Sequence, residues 1–178
     1  MIAGARAILW QRLDAPGNDA CRFARAAGGY LIDGQSTDAA GRVTQYRIRA
    51  HVDGTTRRVR IGRTSRVFLR RTAEGDWTRN GTPAPELAGA TDIDLGFTPA
   101  TNTLPIRRLA LGIGEHEEIR VAWFDLDGET LRPVRQRYTR TGAESYLFEN
   151  LDSGFTAELR VDPAGLVRDY PGLWRATP

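Results

Sequence analysis

Short stretches in which apolar and polar residues alternate, separated by turn signals roughly every 8–12 residues, are the feature that most limits the fold of this chain. In residues 44–53, Tyr46, Ile48, Ala50 and Val52 point to one side, and the residues between them are mainly polar. This is the period of a β-strand with one buried face and one face in water. The pattern therefore predicts a half-buried antiparallel strand here.

The same alternation recurs along most of the chain, and no window longer than about ten residues has the period of a helix. The further segments are residues 57–61, 65–71, 119–124, 134–139, 153–162 and 165–170. A proline-rich stretch, "TPAPELAGA", interrupts them and is predicted to link two halves of one sheet. The sequence therefore predicts a mainly β protein, in which a many-stranded antiparallel sheet curls into an open barrel.

One segment, "TNTLPIRRLALGIG", follows a different pattern. Its first three residues are good N-cap residues, Pro105 suits the first turn of a helix, and Gly112 and Gly114 suit its end. These signals predict one short helix, at about Thr103–Leu111. Apolar residues cover most of its circumference, which is typical of a buried helix. We therefore expect the sheet to wrap around it.

Two adjacent arginines, Arg107 and Arg108, lie inside this apolar segment. A buried guanidinium without a partner is costly, so both side chains must either reach the rim of the sheet or find partners inside it. Asp92 and Asp94 are candidate partners, because alternation in "TDIDLGF" puts both on one face of a strand.

Composition limits the classes of protein that are possible. All 25 cationic residues are arginine, against 22 acidic residues, and the formal net charge is +3. Because the arginines are scattered along the chain, the sequence does not predict a nucleic-acid partner. A length of 178 residues suits a single domain over residues 1–178. The apolar patch at Ala7–Trp10 is too short for a membrane span or a secretory signal, so we expect a cytoplasmic protein.

Motifs that carry chemistry are few. Cys21 is the single cysteine, which excludes an internal disulfide framework. His116 lies among three glutamates, but neighbouring side chains on a strand diverge, and no second histidine cluster supports a metal site. The sequence has no nucleophile elbow, phosphate-binding loop or dinucleotide fingerprint. It therefore predicts no metal and no cofactor, and a binding protein is favoured over an enzyme.

Three stretches resemble the putative glycolipid-binding family: "DIDLGFTPATNTLPIRRL", "QRYTR" at Gln136–Arg140 and "VRDYPGLW" at Val167–Trp174. The resemblance extends over the whole chain and implies a spiral β-roll around a single helix, often dimeric and likened to lipoprotein-localisation factors of the Lol type. One departure is Thr55, near a position where the family often has a tryptophan, which implies a change in a wall or a mouth. No catalytic residues are implied.

These observations leave three hypotheses for function. The first is a binding protein that holds a glycolipid or a fatty-acyl compound in an apolar cavity between sheet and helix. Its candidate ligand-binding residues are Arg107, Arg108, Asp92, Asp94, Asn102, Trp123, Tyr138 and Trp174. The second is a non-catalytic interaction protein, possible as a homodimer, whose aromatic residues fill the core and whose arginines pair with Asp92, Asp94 or carbonyls. The third is an enzyme that acts on a sequestered ligand near Asp92 and Arg107.

Overall fold

The computed structural model describes residues 4–62 and 67–177. In these residues fifteen strands form one sheet. The strands are β1 (Ala5–Arg12), β2 (Asn18–Ala26), β3 (Gly29–Thr37), β4 (Val43–Ala50), β5 (Thr56–Ile61), β6 (Val67–Arg71), β7 (Trp77–Arg79), β8 (Thr82–Pro83), β9 (Asp92–Leu95), β10 (His116–Asp125), β11 (Thr130–Gly142), β12 (Ser145–Asn150), β13 (Phe155–Val161), β14 (Val167–Tyr170) and β15 (Trp174–Ala176). The helix α1 spans Thr103–Leu109, and two 3₁₀ helices span Pro85–Leu87 and Pro99–Asn102. The mainly β prediction is confirmed.

Hydrogen bonds join the strands in the order β8-β7-β6-β5-β4-β3-β2-β1-β15-β14-β13-β12-β11-β10-β9. Most neighbours in the sheet are therefore neighbours in the sequence, joined by short connections. The β1–β15 pair brings the two ends of the chain together, with Trp10 opposite Ala176 and Arg12 opposite Trp174. The sheet is curled but not closed, so β8 and β9 are its edges. The proline-rich stretch joins these edges. It thus links the half of the sheet that contains β1–β8 to the half that contains β9–β15, as predicted.

The predicted strand over residues 65–71 is observed from Val67 onward, and its first two residues lie outside the described part of the chain. The sheet is antiparallel, as predicted, except at β9 and β10. These two strands pair in parallel, with Asp92 opposite Val121 and Leu95 opposite Phe124. A parallel pair requires a crossover connection, because the chain must return before it pairs again. We call residues 96–115 the crossover; they contain the second 3₁₀ helix and α1.

The sheet curls until β9 reaches β5. The Thr56 N–H donates to the Thr91 carbonyl at 3.0 Å, and Thr56 Oγ1 accepts from the Ile93 N–H at 2.9 Å. Trp77 on β7 donates from Nε1 to the Ala90 carbonyl at 2.9 Å. These contacts hold the β9 edge against strands from the other half of the sheet, which makes the sheet a roll with the crossover attached at its edge.

The helix α1 begins where the sequence predicted but ends at Leu109, two residues earlier. Ala110 ends it with a left-handed backbone conformation at φ 48°, so the expected glycines 112 and 114 are not its C-cap. Leu104 and Ile106 are buried, whereas the last turn is only half-buried. The prediction of a helix buried all round is therefore correct for its first turn only.

The predicted N-cap is also different in the structure. Asn102 makes no capping hydrogen bond, because the preceding 3₁₀ helix runs directly into α1 and gives Asn102 a helical backbone, at φ −59° and ψ −25°. Pro105, the third residue of α1, also has no N–H to donate. Thr98 is the residue that caps, and its side chain accepts from the Ala100 N–H at 3.1 Å. The Asn102 side chain is therefore available for a tertiary contact.

The core follows the alternation, with departures at Val52, on β10 and at Phe155, which is 41% exposed although it is in phase with the buried Ala157 and Leu159. Tyr46, Ile48 and Ala50 are buried as predicted, but Val52 is 69% exposed because β4 ends at Ala50. On β10 the residues from Val121 to Phe124 are buried or half-buried on both faces, so alternation does not separate an inner from an outer side there.

Candidate functional site

An ion pair joins α1 to the edge strand β9. Arg108 Nη2 donates to Asp92 Oδ2 at 2.6 Å, and Thr91 Oγ1 donates to the same carboxylate oxygen at 2.7 Å. The Asp92 side chain is 1% exposed and that of Arg108 is 18% exposed. Asp92 Oδ1 and Arg108 Nε are buried without a hydrogen-bond partner. The pairing alternative that the sequence left open is therefore observed for Arg108.

Arg107 points elsewhere. Its Nη1 donates to the Ala164 carbonyl at 2.7 Å, in the turn between β13 and β14. Its guanidinium carbon lies 5.4 Å from the centre of the Tyr30 ring, within range of a cation–π contact. Arg107 Nε is buried and has no hydrogen-bond partner. Adjacent arginines therefore make different contacts, and Asp92 meets Arg108 rather than Arg107.

Asp94 binds neutral partners. Its Oδ2 accepts from Gln136 Nε2 at 2.6 Å, and its Oδ1 accepts from Thr101 Oγ1 at 3.1 Å. Burial raises the pKa of Asp94, and these two hydrogen bonds oppose that shift because they stabilise the carboxylate. Asp94 thus connects β9 to β11 and to the second 3₁₀ helix.

Asn102 and Tyr138 form a buried pair. Asn102 Nδ2 donates to the Tyr138 hydroxyl at 2.9 Å, and both residues are at most 5% exposed. The Tyr138 ring makes an edge contact with Phe148, with ring centroids 5.3 Å apart. Burial raises the pKa of Tyr138 well above its ordinary value, so the hydroxyl is neutral.

Five of the predicted residues lie on β9 or the crossover: Asp92, Asp94, Asn102, Arg107 and Arg108.

The two predicted tryptophans make separate contacts. Trp123 is half-buried on β10, with the Arg132 guanidinium 4.6 Å from its ring centroid. Trp174 is 5% exposed on β15, where the Arg12 guanidinium lies 5.8 Å from its ring. Five strands separate β15 from β9 in the order of the sheet. The sequence analysis grouped these residues by type, but Trp174 is not on a strand next to β9 in the order of the sheet.

A second buried polar group was missed by the sequence reasoning. Asp19 is 0% exposed and accepts at Oδ1 from the Tyr46 hydroxyl at 2.8 Å, and that hydroxyl lies 3.2 Å from Thr98 Oγ1. Burial raises the pKa of Asp19 to about 7. The available signal was the position of Asp19, an acidic residue in phase with the buried Cys21 and Phe23 of β2.

An open cleft of about 400 Å³, which we call the helix-end cleft, lies beside the last turn of α1. Arg107, Arg140, Glu144, Tyr146 and Asp162 contribute to its walls. Arg140 donates to three backbone carbonyls, at distances of 2.8–3.1 Å, so its guanidinium is held by the backbone. The cleft therefore presents hydrogen-bond donors and acceptors side by side. Arg140, which β11 places there, ends the stretch Gln136–Arg140 that resembles the family, but the sequence analysis did not select it as a site residue.

Behind Arg107 lies a much smaller apolar space, between α1 and the β2–β3 hairpin. We call it the helix seam; its volume is about 10 Å³, room for about one water molecule. Phe23, Tyr30, Ile32 and Leu104 are among its lining residues, and Arg107 borders both the seam and the helix-end cleft. The two spaces thus meet at one side chain.

The described residues contain no group of three or more His, Cys, Asp and Glu side chains suited to a metal ion. Over the same residues, no helix is long and apolar enough to cross a membrane. The side chains at the helix-end cleft can donate to and accept from a polar ligand, and the seam offers apolar contact.

Two comparisons with known proteins found a match. The family model described as putative glycolipid-binding matches residues 7–176. A crystal structure of a DUF1089 family protein from Pseudomonas aeruginosa, at 1.80 Å resolution, is similar to this chain with a TM-score of 0.70. The two sequences are 34% identical, over 98% of this chain and 93% of the other. A search of curated proteins gave no match.

Proposed function

Since the chain belongs to the putative glycolipid-binding family, we propose that it binds a glycolipid or another small amphiphile at the junction of the helix-end cleft and the helix seam. The observation that carries this proposal is the position of Arg107, which borders both spaces and has an Nε donor without a partner. A ligand with a polar head and an apolar tail matches that junction.

The head group would lie in the cleft. A guanidinium binds carboxylates and phosphates through two parallel donors, and it also donates to sugar hydroxyls. Glu144 and Asp162 add acceptors to the same walls. A mixture of donors and acceptors suits a head group rich in hydroxyls, because each hydroxyl both donates and accepts.

The apolar part would enter the seam beside Tyr30 and Leu104. Because the seam holds only about 10 Å³, an acyl chain requires α1 to move away from the β2–β3 hairpin. Arg108, held by Asp92, would act as the fixed point of that movement.

The small seam supports a second candidate, an interaction protein whose roll is filled by its own side chains. The ligand roles predicted for Asp92, Asp94, Asn102, Trp123, Tyr138 and Trp174 stay predictions. Catalysis near Asp92 and Arg107, a single domain, a homodimer and a cytoplasmic location also stay predictions.

The test is to incubate the purified chain with a total lipid extract, purify it again and record its native mass spectrum. The proposal expects a stoichiometric adduct, and solvent extraction followed by mass spectrometry then identifies its class. A chain that stays free of adduct with neutral lipids, acidic lipids and glycolipids alike contradicts the proposal and supports the filled roll.

A further inference from the structure

The outer face of β4, β5 and β6 gathers arginines that are scattered in the sequence. Arg49 on β4 lies directly opposite Arg58 on β5, and Arg58 lies directly opposite Arg70 on β6. A second pair, Arg47 and Arg60, lies next to them on the same two strands. All five side chains are exposed. We call this group the arginine face.

Like charges directly opposite each other on neighbouring strands destabilise a sheet, since opposed Cβ atoms are only about 5 Å apart. Here Arg49, Arg58 and Arg70 form an unbroken row across three strands. Among the described residues, none of the three makes an ion pair. Asp33, the acidic residue opposite Arg47 on β3, is bound to that arginine at 2.8 Å. The arginine face is therefore strongly positive.

The other half of the sheet is arranged differently. Arg137 lies between Glu118 and Glu149 on the neighbouring strands and pairs with both. Arg135 pairs with Asp152, and Arg175 pairs with Asp169. Several outward arginines on β10–β15 thus have acidic partners, whereas among the described residues Arg49, Arg58 and Arg70 on β4–β6 make no ion pair.

Apolar side chains border the arginine face. Leu31 on β3 lies opposite Arg49, and Ala24 on β2 lies opposite Leu31. Val52, 69% exposed, lies in the turn that follows β4. Leu31 and Ala24 are half-buried, whereas Val52 is exposed. Arginines beside partly exposed aliphatic groups suit the interface of a bilayer, where the apolar groups contact acyl chains and guanidinium groups bind lipid phosphates.

A nucleic-acid partner fits less well. Single strands are bound through aromatic rings on which bases stack. The aromatic ring of this face is Phe68, and the Arg60 guanidinium already lies 5.7 Å from its centroid.

We propose that the arginine face docks the protein on an anionic lipid surface. This inference rests on charge placement and is independent of the ligand proposed for the helix-end cleft. The attraction is electrostatic, so binding requires acidic lipids and weakens as salt screens the charges.

The test is flotation with vesicles of phosphatidylcholine, alone or with about 30 mol% phosphatidylserine, in about 0.1 M salt. The wild type is expected to float with the anionic vesicles only, and to be released at about 0.5 M salt. The triple variant R49Q/R58Q/R70Q is expected to bind them more than about tenfold more weakly. The matched control, R135Q/R137Q/R175Q, removes the same charge from the paired arginines and should keep its affinity within about threefold.

Thermal unfolding shows that each variant is folded. Removing the opposed arginines should not lower the unfolding temperature, because it relieves repulsion. If the triple variant is less stable, R58Q alone, at the centre of the row, replaces it in the assay. The proposal is overturned if the wild type does not bind anionic vesicles, or if both triple variants lose the same affinity for these vesicles relative to the wild type. Binding of a labelled DNA duplex through this face, without vesicle binding, also overturns it.

Discussion

Arg108 Nη2 lies 2.6 Å from Asp92 Oδ2, and this contact fixes the last turn of α1 to the edge strand β9. Asp92 lies on β9, after which the chain leaves the sheet, and Arg108 lies in the crossover, which returns to the sheet as β10 in parallel register. The ion pair therefore holds the crossover in the roll at the end of α1 that borders the helix-end cleft.

The first prediction concerns this ion pair. Arg108→Ala leaves the Asp92 carboxylate buried and without its cation, and should lower the free energy of unfolding by about 3 kcal/mol. Asp92→Asn removes the charge but keeps the shape. The double variant Asp92→Asn/Arg108→Ala should lose less free energy of unfolding than the sum of the losses in the two single variants. Urea denaturation of the four proteins gives the coupling energy. A coupling near zero would show that the pair does not hold the helix.

The second prediction concerns Asp19, whose pKa is raised by burial to about 7. The folded state then holds a proton that the unfolded state has already lost, between about pH 4 and pH 7. Stability from this residue is therefore greatest at low pH and declines as pH rises through that window. Asp19→Asn removes the titration and keeps an acceptor for the Tyr46 hydroxyl.

The measurement is the unfolding midpoint of wild type and Asp19→Asn at pH 5 and pH 8. The variant should gain stability relative to the wild type at the higher pH, by an amount on the order of a few kcal/mol. An equal difference between the two proteins at both pH values would mean that Asp19 ionises normally in the folded state.

The third prediction concerns Gly34, where Tyr46 packs directly on the backbone. A Cβ at Gly34 would lie 2.5 Å from the Tyr46 ring carbon and hydroxyl oxygen. Gly34→Ala should therefore cost about 1–3 kcal/mol, because it displaces a buried ring that also binds Asp19. Gly142→Ala is the control, since its Cβ would meet only the Ser145 hydroxyl, which can rotate away. Equal losses in chemical denaturation would contradict the packing explanation.

The fourth prediction concerns the buried pair of Asn102 and Tyr138. Tyr138→Phe removes the acceptor and leaves the Asn102 amide without its partner, at a cost of about 1–3 kcal/mol. Asn102→Leu in the same chain removes the stranded amide and should recover part of that loss. Guanidinium denaturation checks this, and a double variant less stable than Tyr138→Phe would argue against the explanation.

Much of the fold could be predicted because alternation reports burial directly. Tyr46, Ile48 and Ala50 were assigned to the inner face from their period alone, and the structure has them there. The parallel pairing of β9 was not predictable in this way, because register between distant strands leaves no period in the sequence. The missed N-cap has a different origin, since the 3₁₀ helix before Thr103 runs directly into α1 and gives Asn102 a helical backbone where an N-cap residue is extended.

The candidate site was predictable only in part. Arg107 and Arg108 stood out as charges in an apolar segment, and alternation identified Asp92 as a candidate partner, but neither signal fixed which arginine pairs with it. Arg140 gave no signal of this kind, because it is one arginine of several on an alternating strand.

The arginine face illustrates the same limit for a surface. Arg49, Arg58 and Arg70 are far apart in the sequence and become neighbours through the registers of β4, β5 and β6. Because every lysine or arginine position in this chain is arginine, residue type does not distinguish these arginines from the paired ones on the other half of the sheet.

The most direct test of the proposed function is the fraction of ligand-bound protein in native mass spectra of wild type and Arg107→Gln, after equal exposure to the lipid class that the wild type retains. Arg160→Gln, an exposed arginine on β13, is the control. Our account predicts that Arg107→Gln, still folded by thermal unfolding, loses at least about tenfold in bound fraction at low ligand, since a charge-assisted contact is removed. Equal bound fractions in all three proteins would contradict a head-group site at Arg107.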